Sequence, residues 1–160
     1  YEWEPAGERV DRTLEVIRIV KRLWTEDVVN YEGRFWRIVN CRLVPKPYRK
    51  PHPPILNGGA GRRMLRIAAK YCNGWIGVLD NPQEYRERME YIEKYLERPG
   101  EFSFANVFQV YADRDSVESV VKRVEKFVDL GVSKVILFIH PQPRNLELLD
   151  KYSKVLDEFR

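Results

Sequence analysis

The residues in this 160-residue sequence whose types and spacing could do chemistry form a glycine-rich segment with two arginines. It reads NGGAGRR, from Asn57 to Arg63, between a short apolar run and an amphipathic pattern. Glycines permit tight turning and close approach of backbone amides to a ligand, and a following helix offers unsatisfied amides and a partial positive charge. Arg62 or Arg63 would add a guanidinium fork for phosphate oxygens. The segment therefore predicts an anion site of the kind that holds a cofactor phosphate.

The same segment also fits a second interpretation, an ordinary tight turn between a strand and a helix. Its spacing differs from the P-loop pattern and from the dinucleotide pattern G-x-G-x-x-G, whose last glycine would fall at Met64 or Leu65. The local pattern leaves both interpretations open.

Short apolar runs alternate with amphipathic helical patterns over the rest of the chain. The predicted strands are Ile55 to Asn57, Trp75 to Leu79, Val107 to Tyr111 and Val135 to Ile139. The last predicted helix has its apolar face at Leu146, Leu149, Tyr152, Leu156 and Phe159. Asp115 with Glu118 predicts a capping box, and Gly131 predicts a helix end with positive φ. Alternation of strand and helix is typical of a parallel sheet, so the predicted class is α/β.

The first 54 residues carry other patterns. Apolar residues spaced three and four apart from Val10 to Trp24 predict a buried helix. The segment VVNYEGRFWRIVNCRLV is rich in β-branched and aromatic residues and predicts an antiparallel hairpin, and the proline-dense PKPYRKPHPP predicts an extended connector. We expect one domain over 1–160, with the helix over 1–25, the hairpin and connector over 26–54, and four βα units over 55–160.

Composition limits the classes of partner. The 28 Lys and Arg and 24 Asp and Glu give a net charge of +4, interleaved along the predicted helices, which argues against nucleic-acid binding. No apolar run approaches the roughly 20 residues of a membrane span, and no signal-type leader opens the chain, so we expect a soluble cytoplasmic protein without a membrane partner. Cys41 and Cys72 lack the spacing of a metal site, and none is predicted. The high Glu, Lys and Arg content is typical of a thermophile.

Three segments, in order, resemble the luciferase-like monooxygenase family, whose members use a flavin or the deazaflavin coenzyme F420. They are ERVDRTLEVIRIVKRLW, VNYEGRFWRI and LVPKPYRKPHPPILNGGAGRRMLRIAAKYCNGWI. The resemblance implies a TIM barrel with insertions, and it places this chain from the fourth helix through the eighth strand and its helix. The implied fold is the C-terminal half of a TIM (β/α)8 barrel with a β-hairpin insertion, within a longer protein.

The resemblance also implies a cofactor, F420 or FMN, whose phosphate side contacts the loop after the fifth barrel strand. That loop maps here onto Asn57, Gly58, Gly59, Ala60 and Gly61, with Arg62 adjacent. No catalytic residue is carried over. Strand ends face the pocket of an intact barrel, which makes Asp80, Tyr111 and His140 substrate-pocket candidates. Each also has a structural interpretation: a cap for the helix begun by Pro82, a core residue, and the end of a strand.

Four strands would leave two unpaired edges and an apolar inner face, on which we place Val135, Leu137 and Ile139. We therefore expect association with a complementary N-terminal half barrel or with a second copy. A small open parallel sheet of the flavodoxin kind, with helices on both faces, is the alternative architecture. Two functions stay open: part of an F420- or FMN-dependent oxidoreductase that moves hydride between cofactor and a small organic substrate, or a non-catalytic half-barrel module that acts through assembly.

Overall fold

The polypeptide divides after Ile55 into two units, Tyr1–Ile55 and Leu56–Arg160, in a computed structural model that describes residues 3–141 and 146–159. The division falls where the sequence predicts the change from the proline-rich connector to the βα units. That the whole chain acts as a single domain stays a prediction.

The first unit contains the predicted helix and hairpin. Helix α1 spans Ala6–Thr25, and strands β1 (Val29–Glu32) and β2 (Arg37–Cys41) pair antiparallel. No helix or strand is present over 42–55, as expected of a segment whose prolines lack amide donors. The helix, the hairpin and the extended connector are present as predicted, but α1 is less buried than expected, since only Ile17 and Ile19 are buried and Val16 is exposed.

The turn of the hairpin is fastened to α1 by one carboxylate. Glu15 accepts hydrogen bonds from the backbone N–H groups of Arg34, at 2.8 Å, and Phe35, at 3.2 Å. Gly33 belongs to the same contact, because a Cβ there would lie 2.5 Å from the Glu15 Oε2 atom. Farther along, Lys46 Nζ donates to the carbonyl oxygens of Leu23, at 2.8 Å, and Glu26, and so caps the end of α1.

The second unit alternates strand and helix throughout. Its elements are β3 (Leu56–Asn57), α2 (Arg62–Tyr71), β4 (Gly74–Gly77), α3 (Pro82–Glu93), a 3-10 turn (Pro99–Glu101), β5 (Ser103–Tyr111), α4 (Val117–Val128), β6 (Lys134–His140) and α5 (Glu147–Asp157). The four strands pair in parallel, so the predicted α/β class is confirmed.

The strand order decides between the two predicted architectures. It is β3-β4-β5-β6, so each crossover moves one place in the same direction. Right-handed crossovers that all advance one way put their helices on one face of the sheet, as in a barrel. A flavodoxin-like sheet needs a reversal of strand order to cover both faces, and the described strands have none. The flavodoxin-like alternative is therefore wrong.

The core lies between the sheet and this one layer of helices. Its largest buried members are Trp75, Tyr85, Ile92, Phe108, Val110, Val120, Val124, Phe127, Tyr152 and Val155. Aromatic rings meet edge to face at its centre, where Tyr85 and Phe108 both contact Phe127 at centroid distances of 5.2 and 4.9 Å. The amphipathic helical patterns of the sequence correspond to this layer.

The sequence interpretation placed the wrong set of β6 side chains on the inner face of the sheet. Val135, Leu137 and Ile139 pack against the helix-side core, while Ile136 and Phe138 are exposed on the opposite face. Successive side chains of a strand point to opposite faces, so the whole set changes sides together. Five consecutive apolar residues follow Lys134, and such a run carries no alternation that could identify the inner face.

The N-cap residues of two helices also differ from the predicted ones. Ser116, not Asp115, caps α4 by accepting from Ser119 N–H at 3.2 Å, whereas Asp115 Oδ2 accepts from Tyr111 N–H at 2.7 Å. Asn81, not Asp80, caps the helix begun by Pro82. Short polar side chains stand side by side at both sites, and the chain path selects between them.

Of two further helix predictions, the end of α4 is confirmed and the apolar face of α5 is confirmed only in part. Gly131 has φ +100°, which confirms the prediction of a left-handed position after α4. Of the residues predicted for the apolar face of the last helix, Tyr152 is buried, whereas Leu146, Leu149, Leu156 and Phe159 are exposed. The predicted apolar face of α5 is thus only partly covered within this unit.

Candidate functional site

The candidate residues all follow strand ends on one edge of the second unit. The glycine segment follows β3, Asp80 follows β4 by three residues, and Tyr111 and His140 are the last residues of β5 and β6. Because the strands are parallel, their carboxyl ends meet at the same edge of the sheet. Ligand sites of parallel α/β folds lie at this edge.

The glycine loop, residues 57–61, is held by two side-chain hydrogen bonds. Buried Asn57 accepts from Gly59 N–H through Oδ1 at 2.7 Å, which forms an Asx turn. The indole Nε1–H of buried Trp75 donates to Gly59 O at 3.1 Å. The backbone N–H and the backbone carbonyl oxygen of Gly59 are therefore both hydrogen-bonded to buried side chains of the unit, which fix the shape of the loop.

Space around the loop differs from glycine to glycine. A Cβ on Gly59 would lie 2.7 Å from Met64 Cβ, so glycine is required there by packing. A Cβ on Gly58 would meet only Ile76, at 3.6 Å or more, and a Cβ on Gly61 would meet nothing within 4 Å. The outer side of the loop thus leaves open space that a ligand group could fill.

The N-terminus of α2 is electrostatically suited to an anion. Gly61 is its N-cap, no side chain caps it, and its first turn contains no acidic residue. Helices α3 and α4, in contrast, have side-chain caps and Glu84 and Glu118 in their first turns. An acidic group at a helix N-terminus stabilises by about 0.3–1 kcal/mol, and α2 lacks this internal compensation.

Arg62, the adjacent candidate, is the first residue of α2 and is exposed. Its guanidinium carbon lies 5.9 Å from the ring centroid of Tyr91 on α3. In this arrangement the side chain packs over the neighbouring helix, and the backbone of the loop is the better anion donor.

Tyr111 and His140 belong to a strand-end cluster with two residues that the sequence interpretation missed, Gln109 and Phe138. Gln109 Oε1 and His140 Nε2 are 2.6 Å apart. The Tyr111 ring stacks on His140 at 4.9 Å and 18°, and the Phe138 ring lies 4.7 Å from it at 58°. The cluster unites the ends of β5 and β6 around one imidazole.

This strand-end cluster occupies the sheet face opposite the helix-side core. Gln109 and Tyr111 alternate along β5 with buried Phe108 and Val110. Cross-strand pairs keep the same face, since Gln109 is opposite Phe138 and Tyr111 is opposite His140. The core interpretation of Tyr111 is therefore wrong. A polar Gln two residues before Tyr111 in a strand was the signal that could have located it.

Asp80 lies apart from the contacts of the strand-end cluster. It is exposed, in a loop held by fully buried Asn106. Asn106 accepts from Leu79 N–H at 3.2 Å and donates through Nδ2 to Leu79 O at 2.8 Å. These two bonds extend the β4–β5 ladder by a side chain and fix the start of the loop.

Over residues 3–141 and 146–159, no three His, Cys, Asp or Glu side chains gather closely enough to hold a metal ion, and Cys41 and Cys72 form no disulfide bond. No helix among these described residues combines the length and apolar character needed to cross a membrane.

Comparison with known sequences identifies one family. Residues 2–155 match the family described as luciferase-like monooxygenase. The chain is 38% identical over 74 residues to an FMNH2-dependent dimethylsulfone monooxygenase from Pseudomonas putida, a match covering 46% of this chain and 20% of that protein. It is 32% identical over 89 residues to an F420-dependent glucose-6-phosphate dehydrogenase from Microbacterium testaceum, covering 55% and 26%.

Comparison with solved structures identifies the fold. An F420-dependent secondary alcohol dehydrogenase superposes with a TM-score of 0.80 at 16% identity, covering 99% of this chain and 64% of that one. The F420-dependent tetrahydromethanopterin reductase from Methanopyrus kandleri gives 0.77 at 14% identity, covering 94% and 64%. The chain spans less than two thirds of the length of these relatives. Its fold is that of the luciferase-like TIM-barrel enzymes.

Proposed function

The chain belongs to the luciferase-like monooxygenase family, and from this premise we propose that it forms the C-terminal part of an oxidoreductase that binds F420 or FMN and acts on a small organic substrate. The observation that carries the proposal is the glycine loop, held from inside and open outside, at the uncapped N-terminus of α2. Relatives that use FMNH2 and relatives that use F420 support the two cofactors equally.

The loop fits the phosphate that these two cofactors share. Its open sites at Gly58 and Gly61 would let phosphate oxygens approach backbone amides, and the α2 N-terminus favours negative charge. Asn57 and Trp75 would keep the loop in this shape before a ligand arrives, which lowers the entropy lost on binding. Arg62 would contribute long-range attraction more than a fixed contact.

The bound cofactor would supply the hydride chemistry, as cofactors of this type do. The part of this chain would be to hold the phosphate end through residues 57–61 and to offer side chains to the substrate at the same sheet edge. We assign that second role to Tyr111 and His140, with Asp80 at the rim. Their rings would contact the reacting molecule from the ends of β5 and β6.

A binding experiment with two glycine variants tests the proposal. Gly61→Val adds bulk on the open side of the loop, where a Cβ meets nothing within 4 Å, and Gly100→Val is its control, because the same holds at Gly100. The chain is titrated with F420 and with FMN by fluorescence. We expect Gly61→Val to weaken binding by about 10- to 100-fold, the cost of one or two charged hydrogen bonds, and Gly100→Val to leave it unchanged. Binding of neither cofactor by the unaltered chain, or equal affinities for both variants, would contradict the proposal.

The non-catalytic alternative also has an observation in its favour. An apolar groove of about 400 Å³ runs between β6 and α5. The residues that line it are Val135, Ile136, Leu137, Ile139, Leu149, Tyr152, Ser153 and Leu156. A groove of this kind suits an assembly partner, such as a complementary N-terminal half barrel or a second copy. The same titration separates the two functions, because an assembly module has no need of cofactor affinity.

A further inference from the structure

The hydrogen bond between Gln109 and His140 assigns a proton within the strand-end cluster. The Gln109 Oε1 atom is a carbonyl oxygen, which can only accept, and it lies 2.6 Å from His140 Nε2. With the carbonyl oxygen of Gln109 facing the ring, His140 Nε2 carries the hydrogen of this contact. In a neutral imidazole the other nitrogen, Nδ1, then has a lone pair and no hydrogen.

Two aromatic rings in contact with the His140 imidazole restrict its rotation away from Gln109. Tyr111 stacks nearly parallel to it, at 18°, and Phe138 lies against it at 4.7 Å. The guanidinium carbon of Arg114 lies 3.8 Å from the Tyr111 ring centroid. Stacking restricts the plane of the ring, while the amide of Gln109 selects which nitrogen is protonated.

The second histidine of the sequence has the opposite arrangement. His52 Nδ1 lies 2.8 Å from the backbone carbonyl oxygen of Pro53, which again can only accept. In His52 the hydrogen must therefore reside on Nδ1. With only two histidines in the chain, each is an internal reference for the other.

We propose that Gln109 is a positioning residue, which keeps the proton of neutral His140 on Nε2 and so leaves Nδ1 as the hydrogen-bond acceptor of the strand-end cluster. An acceptor of this kind fits a ligand that presents a hydroxyl or N–H group to the ends of β5 and β6. The ligand role rests on the proposed function, whereas the proton assignment does not. The two can therefore fail separately.

Long-range 15N–1H NMR of the imidazole rings tests the assignment on the full 160-residue chain. The spectrum is recorded at about pH 8.5, two units above the pKa of about 6.5 of an imidazole in a model peptide. We expect His140 as the Nε2–H tautomer and His52 as the Nδ1–H tautomer, each favoured about tenfold by its hydrogen bond. The His140 Nε2–H proton should also exchange slowly enough with water to be seen directly.

Two variants distinguish positioning from mere packing. Glutamate offers only acceptor oxygens, so Gln109→Glu should keep the His140 tautomer and the protected proton. Gln109→Leu keeps the approximate bulk without an acceptor, so the protected proton should disappear and the tautomer ratio should fall, while His52 stays unchanged.

Two outcomes would overturn the proposal. One is a major Nδ1–H form of His140 in the unaltered chain, a result that needs no variant to fold. The other is a Gln109→Leu protein whose His140 signals equal those of the unaltered chain. Neither outcome depends on cofactor binding, which is measured separately with Gly61→Val.

Discussion

Tyr85 is the clearest case in the second unit of a buried side chain held by one hydrogen bond. Its ring is fully buried between Trp75 and Phe127, and its hydroxyl donates to Ala105 O at 2.8 Å. Burial raises the pKa of the Tyr85 phenol far above its ordinary value, because the charged form would lose its hydration. The residue therefore joins α3 to the central strand β5 through packing and one polar contact.

We predict that Tyr85→Phe lowers the free energy of unfolding by about 1–2 kcal/mol at neutral pH, because Ala105 O loses its donor. The folded pKa of Tyr85 lies above the unfolded value of about 10, so its contribution is complete below pH 10 and is lost as pH rises beyond it. Urea unfolding at pH 7 and at about pH 11 measures this, and the gap between the two proteins should narrow at the higher pH.

Tyr48 supplies the control for this measurement, since its side chain is fully exposed. Tyr48→Phe should change the free energy of unfolding by less than about 0.5 kcal/mol at either pH. A gap between Tyr85→Phe and the unaltered chain that stays constant up to pH 11 would show that the buried phenol does not resist ionisation.

In the first unit, helix α1 holds the turn of the hairpin. Two amides of that turn, from Arg34 and Phe35, have Glu15 as their acceptor, and Gly33 leaves room for the carboxylate. A two-stranded hairpin is marginal in water without further support. The Glu15 carboxylate supplies this support, because it holds the turn of the hairpin against α1.

We predict that Glu15→Ala destabilises the hairpin by about 1–3 kcal/mol, because two charge-assisted hydrogen bonds are lost together. Amide hydrogen exchange at Arg34, Phe35 and the β1–β2 ladder measures the change residue by residue. Glu125→Ala on α4 is the control, since it makes the same change in helix propensity at an exposed position. Equal exchange of the turn amides in the two variants would rule out the role of Glu15.

For the molecule as a whole, the features that matter are an open sheet edge and an apolar groove. The outer strand β6 pairs only with β5 among the described strands, and beside it lies the groove that ends on exposed Leu149 and Leu156. Unpaired edges and contiguous apolar surface both favour association. The second unit thus has two features, an outer strand and an apolar groove, that favour association with another protein segment.

We predict that the isolated chain forms dimers or larger assemblies through this surface. Light scattering after size exclusion should give a mass above 19.1 kDa, and Leu149→Lys with Leu156→Lys should shift it toward the monomer because charge in the groove opposes burial. Leu146→Lys, at an exposed leucine outside the groove lining, should have no such effect. A stable monomer of the unaltered chain would contradict a role for this surface in assembly.

Local chemistry was sufficient to predict part of this molecule. The α/β alternation, the helix and hairpin of the first unit and the left-handed Gly131 all follow from patterns within a few residues, because periodicity and glycine geometry are local properties. The glycine loop could be located for the same reason, since its glycines and the strand and helix patterns on either side of it are contiguous in the sequence.

Tertiary structure alone decided the features that join distant residues. The inner face of β6 could not be predicted, because the apolar run from Val135 to Ile139 would suit either face until β5 fixes the register. Trp75 reaches Gly59 across 16 positions, and Gln109 reaches His140 across 31. Such contacts depend on which strands become neighbours, and strand order follows from the packing of the whole unit, where no single segment carries the information.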